Sequence, residues 1–191
     1  MIKAVIFDCF GVLYTGSFSA LRELCPDEKW SAAEDLNKQA DYGYITRADY
    51  LVQMAELVGM TAADLDNLLM KRHVRNEQLI SYIREQKLTY KIGLLSNVSD
   101  SLVDRLFTQQ EIDDIFDVVV YSYQEHITKP NPEIFVRAAL QLDCLPSECI
   151  MVDDLDENCE GAEEAGMHSV MHEQNTTTIA QITEIVGRQN A

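Results

Sequence analysis

The sequence predicts an α/β fold in which a doubly wound parallel sheet carries an inserted helical segment. Short apolar runs are continuous rather than alternating, which is typical of strands buried on both faces of a parallel sheet. Amphipathic helical patterns lie between the later runs, as expected for alternating strands and helices. Roughly 80 residues separate the first two runs, although a crossover between parallel strands needs only about a dozen. The first connection therefore contains an insertion.

Five apolar runs are the predicted strands. They cover residues 3–7, 91–95, 118–120, 149–152 and 168–171. Three of these runs stop at polar side chains, the first at Asp8, the second at Ser96 and the fourth at Asp153. We expect the other two runs to complete the sheet.

Helix signals occupy the later connections. Asn131 followed by Pro132 indicates a helix start, because proline is favoured at the first helical position. Apolar residues at helical spacing follow it on one face of the predicted helix. Residues 156–165 form a second predicted helix, which Gly166 ends.

The long first connection is predicted to be a helical cap. Thr46 and Thr61 each precede a run with helical periodicity and are suitable N-caps. Two further helices are expected to flank these, since the segment has few glycines or prolines and is not a linker. We assign residues 15–87 to the cap and residues 1–14 and 88–191 to the core.

Composition and charge exclude several classes of protein. The formal net charge is −17, and residues 96–191 hold 4 basic and 19 acidic residues. Such a field repels nucleic acid and anionic lipid, so neither is an expected partner. No apolar run approaches the ~20 residues that span a bilayer. Without an export signal or a CxxC pair among the five cysteines, we expect a cytoplasmic protein with reduced thiols. The oligomeric state is not predicted.

Polar residues at three predicted strand ends indicate a functional site. They are Asp8, Ser96, Asn97, Asp153 and Asp154. Ligands of open α/β sheets bind at the carboxyl ends of the strands, where these side chains converge. Carboxylate oxygens without histidine or cysteine suit Mg²⁺. Lys129 supplies a point charge for a phosphate or for Asp8 in an otherwise acidic half of the chain.

Four segments, in order along the chain, resemble the four motifs of the haloacid dehalogenase superfamily. They are FDCFGVL at 7–13, GLLSN at 93–97, KPNPEIF at 129–135 and VDDLDEN at 152–158. The resemblance extends from Phe7 to about residue 171. It implies a Rossmann-like core with a helical cap inserted after the first motif.

The resemblance also implies metal ligands and a nucleophile. Asp8 is the expected nucleophile, forming an aspartyl-phosphate, and also a ligand of Mg²⁺. The backbone carbonyl of Phe10 and the side chain of Asp154 are the other expected protein ligands. The implied activity is Mg²⁺-dependent hydrolysis of a small phosphorylated metabolite.

Further roles follow from the same resemblance. Ser96 and Lys129 are expected to hold the oxygens of the transferring phosphoryl group, assisted by the Asn97 backbone. Lys129 is also expected to be catalytic, because its positive charge stabilises the transferring phosphoryl group. Asp153 and Asn158 are expected to orient Lys129 or the waters of the metal.

Phe10 departs from the family pattern. Most phosphatases of this superfamily have aspartate at this position as the general acid and base, and phenylalanine transfers no proton. The leaving oxygen then departs unprotonated or takes its proton from water, which favours activated esters such as aryl, acyl or anomeric sugar phosphates. His126 or a cap residue is the alternative proton donor.

Two other functions stay open for this reason. The dehalogenases of the superfamily carry an aromatic residue at the position of Phe10, which suggests carbon–halogen hydrolysis. However, their fourth motif lacks the pair Asp153-Asp154, so the pair favours Mg²⁺ and phosphoryl chemistry. A non-catalytic phosphate-binding protein is the second alternative.

Simpler structural interpretations exist for several of these residues. Ser96 could cap a helix that starts at Ser99, and Asn158 could face solvent on its helix. Cys9 is interpreted as a buried filler and His126 as a loop residue. The basic cluster within residues 71–75 is interpreted as a solvated helix end, with contact to an anionic substrate as the alternative.

Overall fold

A computed structural model describes residues 1–189 of the chain and confirms the α/β fold. Within this range, five parallel strands form one sheet in the order β3-β2-β1-β4-β5. The strands are β1 (Ala4–Phe7), β2 (Lys91–Ser96), β3 (Val118–Tyr121), β4 (Cys149–Asp153) and β5 (His168–Met171). Each predicted strand is present, with its ends shifted by no more than one residue.

The described residues also form ten α-helices and three short 3₁₀ turns. The helices are α1 (Phe18–Leu24), α2 (Trp30–Asp41), α3 (Arg47–Val58), α4 (Ala62–Met70), α5 (Glu77–Gln86), α6 (Gln109–Ile115), α7 (Ser122–Glu125), α8 (Pro132–Gln141), α9 (Asp156–Glu164) and α10 (Asn175–Gln189). The predicted caps form, since the hydroxyls of Thr46 and Thr61 accept hydrogen bonds from the amides of Asp49 and Asp64.

No helix within residues 1–189 combines the length and apolar character needed to cross a membrane.

Alternating side chains of the strands supply two hydrophobic cores. Val5 and Phe7 of β1 pack on one face of the sheet, against α5, α6 and α10. Ala4 and Ile6 pack on the other face, against α8 and α9. Both faces of the sheet are therefore covered, as the continuous apolar runs predicted.

Helices α1 to α4 bury a third and separate core. Leu21, Leu36, Met54, Leu65 and Leu69 are among its buried members. These helices lie in the long connection between β1 and β2, where a helical insertion was predicted. Their own apolar packing supports treating them as a distinct unit over the carboxyl edge of the sheet.

Helix α5 packs with the sheet instead of with α1 to α4. Leu79, Ile80 and Ile83 are fully buried in the core shared with β1, β2 and β4. The division at 15–87 stays a prediction, and we propose that the cap ends before α5. In this division α5 is the crossover helix that returns the chain to the sheet.

Replacing Ile80 with alanine is expected to lower the free energy of unfolding by about 2–5 kcal/mol, because it leaves a cavity in the sheet core. Chemical denaturation monitored by circular dichroism measures this difference. Leu88→Ala is the matched control, since Leu88 is 90% exposed and its loss is expected to change stability by less than about 0.5 kcal/mol. A small effect of Ile80→Ala would contradict the assignment of α5 to the core.

Candidate functional site

The strand order creates a crevice beside β1. The chain adds β2 and then β3 on one side of β1, and β4 and β5 on the other. Asp8 follows β1, and its amide donates a hydrogen bond to the carbonyl of Val152 in β4 at 2.9 Å. Asp153 ends β4 and Asp154 follows it. The acidic residues therefore meet at a topological switch point, the usual place for ligands in such sheets.

A buried lysine joins two of these carboxylates. The Lys129 ammonium donates to Asp8 Oδ1 at 2.8 Å and to Asp153 Oδ2 at 2.6 Å. Asp8, Lys129 and Asp153 are 6%, 4% and 0% exposed. Charges so deeply buried are tolerated only when paired, as they are here. We call these three residues the buried ion cluster.

Asn97 fixes the backbone of Lys129. Its side-chain amide donates to the Lys129 carbonyl at 2.9 Å, and the Lys129 amide donates back to Asn97 Oδ1 at 2.8 Å. This reciprocal pair ties the end of β2 to the loop before α8. The predicted role of the Asn97 backbone at the phosphate stays a prediction, and the structure adds a role for the Asn97 side chain, which positions the Lys129 backbone.

Asn158 holds the other side of the buried ion cluster. Its side-chain amide donates to Asp153 Oδ1 at 2.8 Å, and the Leu155 amide donates to the same oxygen at 3.0 Å. Asn158 is only 2% exposed, so the interpretation that it faces solvent is wrong. A side chain on Gly161, one turn further along α9, would overlap the Pro130 carbonyl, so glycine lets α9 approach the loop that carries Lys129.

The pKa values in the site reflect burial and crowded negative charge. Burial raises the pKa of Asp8 to about 7, although Lys129 lowers it in part and Asp153 raises it further. Burial also raises the pKa of Asp154, reinforced by Asp153. Burial opposes the charge on Lys129, but Asp8 and Asp153 raise its pKa above the ordinary value. Lys129 is thus a permanent cation. Its single positive charge does not offset the negative charge of the crowded carboxylates.

The donor set fits a divalent cation. Asp8, Asp153 and Asp154 each offer an oxygen, and the three oxygens lie within 4.8 Å of one another. With one ammonium, three ionised carboxylates leave two negative charges in excess. Asp153 already uses both of its oxygens in hydrogen bonds. Asp8 and the half-buried Asp154 are therefore the carboxylates best suited to bind such an ion, and hard oxygen donors suit Mg²⁺.

Ser96 presents a hydroxyl without a partner. Its oxygen is buried at the end of β2 and has no hydrogen-bond partner among the described residues. No α-helix starts at Ser99, since the next helical turn is the 3₁₀ segment Val103–Arg105. The interpretation of Ser96 as a helix cap is therefore wrong. An unpaired buried hydroxyl is costly, which suggests that a bound ligand satisfies it.

A cleft of about 550 Å³ lies between the sheet edge and the helices α1 to α4. Its sheet side includes Asp8, Phe10, Asn97, Lys129 and Asp154. Its other side includes Asn37, Asp41, Arg47, Tyr50 and His73. The sequence did not predict Asn37, Asp41 or Arg47 as site residues, because no recognisable motif surrounds them on their helices.

The other candidates from the sequence are only partly in this cleft. His73 lines it, with its ring centre 5.0 Å from that of Phe10, while Lys71 and Arg72 are exposed. His126 hydrogen-bonds the carbonyl of Tyr42 at 2.8 Å and is absent from the described lining. Contact of the basic cluster with a substrate therefore stays a prediction for His73 alone.

Cys9 is buried beside Asp8, as the sequence predicted. Its side chain is 0% exposed, and burial together with the Asp8 charge raises the pKa of its thiol well above the ordinary value. A thiol held in its neutral form is a poor nucleophile. Cys9 fills space under the site, and its amide donates to Asp8 Oδ1 at 2.7 Å.

Comparison with known proteins gives relatives at several levels. Acyl-CoA dehydrogenase family member 10 of Mus musculus is 38% identical over 72 residues, which are 38% of this chain but 7% of the mouse protein. Sesquiterpene phosphatase astK of Aspergillus oryzae is 24% identical over 199 residues, covering 97% of each chain.

A solved structure and a family model extend this comparison. The HAD family enzyme bt-2542 of Bacteroides thetaiotaomicron, wild-type protein in complex with magnesium and inorganic phosphate, superposes with a TM-score of 0.76. It is 21% identical, and the match covers 92% of this chain and 96% of that one, so it shows a shared fold. The model of the haloacid dehalogenase-like hydrolases matches residues 2–166. This chain belongs to the haloacid dehalogenase-like hydrolase family.

Proposed function

We propose that this protein is a Mg²⁺-dependent phosphohydrolase, which transfers the phosphoryl group of a small phosphorylated metabolite to Asp8 and then to water. The observation that carries the proposal is the buried ion cluster of Asp8, Lys129 and Asp153, placed next to Asp154 at the cleft. Family membership supports hydrolysis. The phosphatase astK and the magnesium and phosphate bound to bt-2542 support the choice of phosphoryl chemistry.

The hydrogen bonds of Asp8 support its role as the nucleophile. Both Lys129 Nζ and the Cys9 amide donate to Oδ1, at 2.8 and 2.7 Å. Oδ2 accepts no hydrogen bond from the described residues, so its lone pairs are free. We assign Oδ2 to the attack on phosphorus, with Oδ1 held in place by its two donors.

The remaining roles follow from charge and position. Asp8, Asp154 and the backbone carbonyl of Phe10 would hold Mg²⁺, which would neutralise charge on the transferring phosphoryl group. Lys129 stabilises the same charge from the buried side. Ser96 donates its unpaired hydroxyl to a phosphoryl oxygen, together with the Asn97 amide. Asp153 and Asn158 keep the ammonium of Lys129 in place.

Carbon–halogen hydrolysis is the second candidate, and the aromatic ring of Phe10 in the cleft is the observation that favours it. In that reaction Asp8 would displace a halide from carbon. A displacement at carbon has no phosphoryl charge to neutralise, so it does not require a divalent cation. It therefore gives no reason for the extra carboxylates of Asp153 and Asp154, which suit the binding of such a cation. Metal dependence separates the two candidates.

Asp8→Asn is expected to abolish turnover, because an amide is neither a competent nucleophile nor an anionic ligand. A panel of phosphate esters assayed with Mg²⁺ measures the loss. Rapid quenching with a radiolabelled phosphate ester is expected to trap label on the wild-type protein and none on the variant. Turnover at the wild-type rate in Asp8→Asn would rule out the covalent mechanism.

Removal of divalent metal with EDTA is expected to stop phosphate release, and excess Mg²⁺ is expected to restore it. Asp154→Asn is expected to raise the Mg²⁺ concentration for half-maximal rate at least about tenfold, since even partners outside the coordination shell cost about 10–100-fold in affinity. Asp156→Asn is the matched control, because Asp156 is an exposed neighbour. Halide release from 2-haloacids that persists in EDTA, without phosphatase activity, would favour the second candidate.

A further inference from the structure

The proposed phosphoryl transfer is faster when the leaving oxygen receives a proton, and Phe10 cannot supply one. When the bond between phosphorus and the ester oxygen breaks, the electron pair moves to that oxygen, which leaves more easily if it is protonated. In this chain the residue two positions after the nucleophile is Phe10, whose ring lies in the cleft against His73. A side chain that protonates the leaving oxygen therefore has to come from another part of the cleft.

Asp41 places a carboxyl group in the cleft opposite the sheet. It is the last residue of α2, and it lines the cleft together with Asp8 and Lys129. Among the described lining residues from 15–87, Asp41 alone carries a carboxyl group. We propose that Asp41 is the general acid and base of this enzyme, taking the role that Phe10 cannot fill; the inference rests on the proposed phosphohydrolase function.

Asn37 orients this carboxyl group. Its side-chain amide donates to Asp41 Oδ2 at 2.9 Å, from one turn earlier on α2. The bond engages one oxygen and leaves Oδ1 for the leaving group. A carboxyl group oriented in this way can carry its proton on the free oxygen.

The backbone of Asp41 is anchored to the core. Its carbonyl accepts a hydrogen bond from Ser122 Oγ at 2.6 Å, and the Val98 amide donates to the same hydroxyl at 2.9 Å. His126 bonds the carbonyl of Tyr42 at 2.8 Å. Gly43 follows with φ +71°, pressed against the Tyr123 carbonyl where a side chain would overlap. These contacts fix the end of α2 relative to the strand end that carries Ser96 and Asn97.

The environment of Asp41 favours a proton that can move near neutral pH. Burial raises the pKa of Asp41 to about 7, and the nearby Asp8 carboxylate raises it while Lys129 lowers it in part. A general acid works best when its pKa lies near the working pH. The pKa of Asp41 therefore supports the same role as three geometric observations, which are its placement in the cleft, its hydrogen bond from Asn37 and its anchoring at Ser122.

The imidazole of His73 also lies on this side of the cleft, and it is poorly suited to donate a proton. Its Nδ1 lies 2.8 Å from the Thr15 carbonyl, which can only accept, so Nδ1 carries the proton. Burial lowers the pKa of His73, which leaves Nε2 without a proton. His73 can accept a hydrogen bond from a substrate at Nε2 but cannot protonate a leaving oxygen.

In the proposed cycle Asp41 acts first as an acid and then as a base. Asp8 Oδ2 forms a bond to phosphorus, the ester oxygen leaves with the electron pair, and Asp41 gives it a proton. Asp41 is then a carboxylate. It takes a proton from the water that attacks the phosphorus of the aspartyl-phosphate, the bond from Asp8 to phosphorus breaks, and inorganic phosphate leaves. Asp41 ends the cycle protonated.

Leaving-group dependence tests this role. The values of kcat/KM are measured for wild type and Asp41→Asn on a series of esters from 4-nitrophenyl phosphate to simple alkyl phosphates, with Mg²⁺. We expect the variant to lose about 10²–10⁴-fold on alkyl esters and less than about tenfold on the nitrophenyl ester. Asp35→Asn, an exposed carboxyl change on the same helix, is the matched control and is expected to behave as wild type.

A second variant separates chemistry from structure. Adding Phe10→Asp to Asp41→Asn is expected to restore part of the alkyl ester activity, because a carboxyl group returns to the cleft. If turnover depends on Asp8, but Asp41→Asn loses the same factor in kcat/KM on alkyl and nitrophenyl esters and Phe10→Asp restores nothing, the role of Asp41 is wrong. The proposed phosphohydrolase function would stand in that case. A wild-type protein without any Asp8-dependent turnover would overturn the proposed function and this inference together.

Discussion

A lysine ammonium buried between two carboxylates governs the carboxyl edge of this sheet. Lys129 bridges Asp8 after β1 and Asp153 at the end of β4, so it links the two strands at the switch point. Removing one partner from such a cluster leaves an unpaired buried charge, at a typical cost of about 3–5 kcal/mol. The side chains of Asn97 and Asn158 serve this arrangement, one holding the lysine backbone and the other holding Asp153.

The same cluster explains how an acidic protein could bind an anion. A chain of net charge −17 repels phosphate at long range, so positive charge must be supplied locally. Lys129 supplies one such charge and cannot be neutralised by deprotonation, because its two carboxylates raise its pKa. The excess carboxylate charge at Asp8 and Asp154 then favours a divalent cation on the exposed side. A phosphoryl group between the two cations would satisfy Ser96 as well.

The sequence predicted the sheet and its polar strand ends well, because buried parallel strands give continuous apolar runs and Asp8, Ser96 and Asp153 end them. It did not predict which core α5 packs against, since an amphipathic pattern marks an apolar face without naming its partner. The sequence did not predict Asp41 and Arg47 as cleft residues, for a related reason. A polar residue on an inserted helix faces solvent or the cleft depending on how the helix is docked. Contacts such as the hydrogen bonds between Ser122 and Asp41 and between His126 and Tyr42 reveal that docking.

In the proposed reaction, Asp8 receives a phosphoryl group inside a site formed by Lys129 and a divalent cation. The decisive experiment is a crystal structure with Mg²⁺ and beryllium fluoride, a mimic of an aspartyl-phosphate. We expect beryllium bound to Asp8 Oδ2, fluorines in contact with Lys129 and Ser96, and the Asp154 carboxylate directed at the metal. A mimic bound away from Asp8, or Asp154 turned away from the metal, would contradict it.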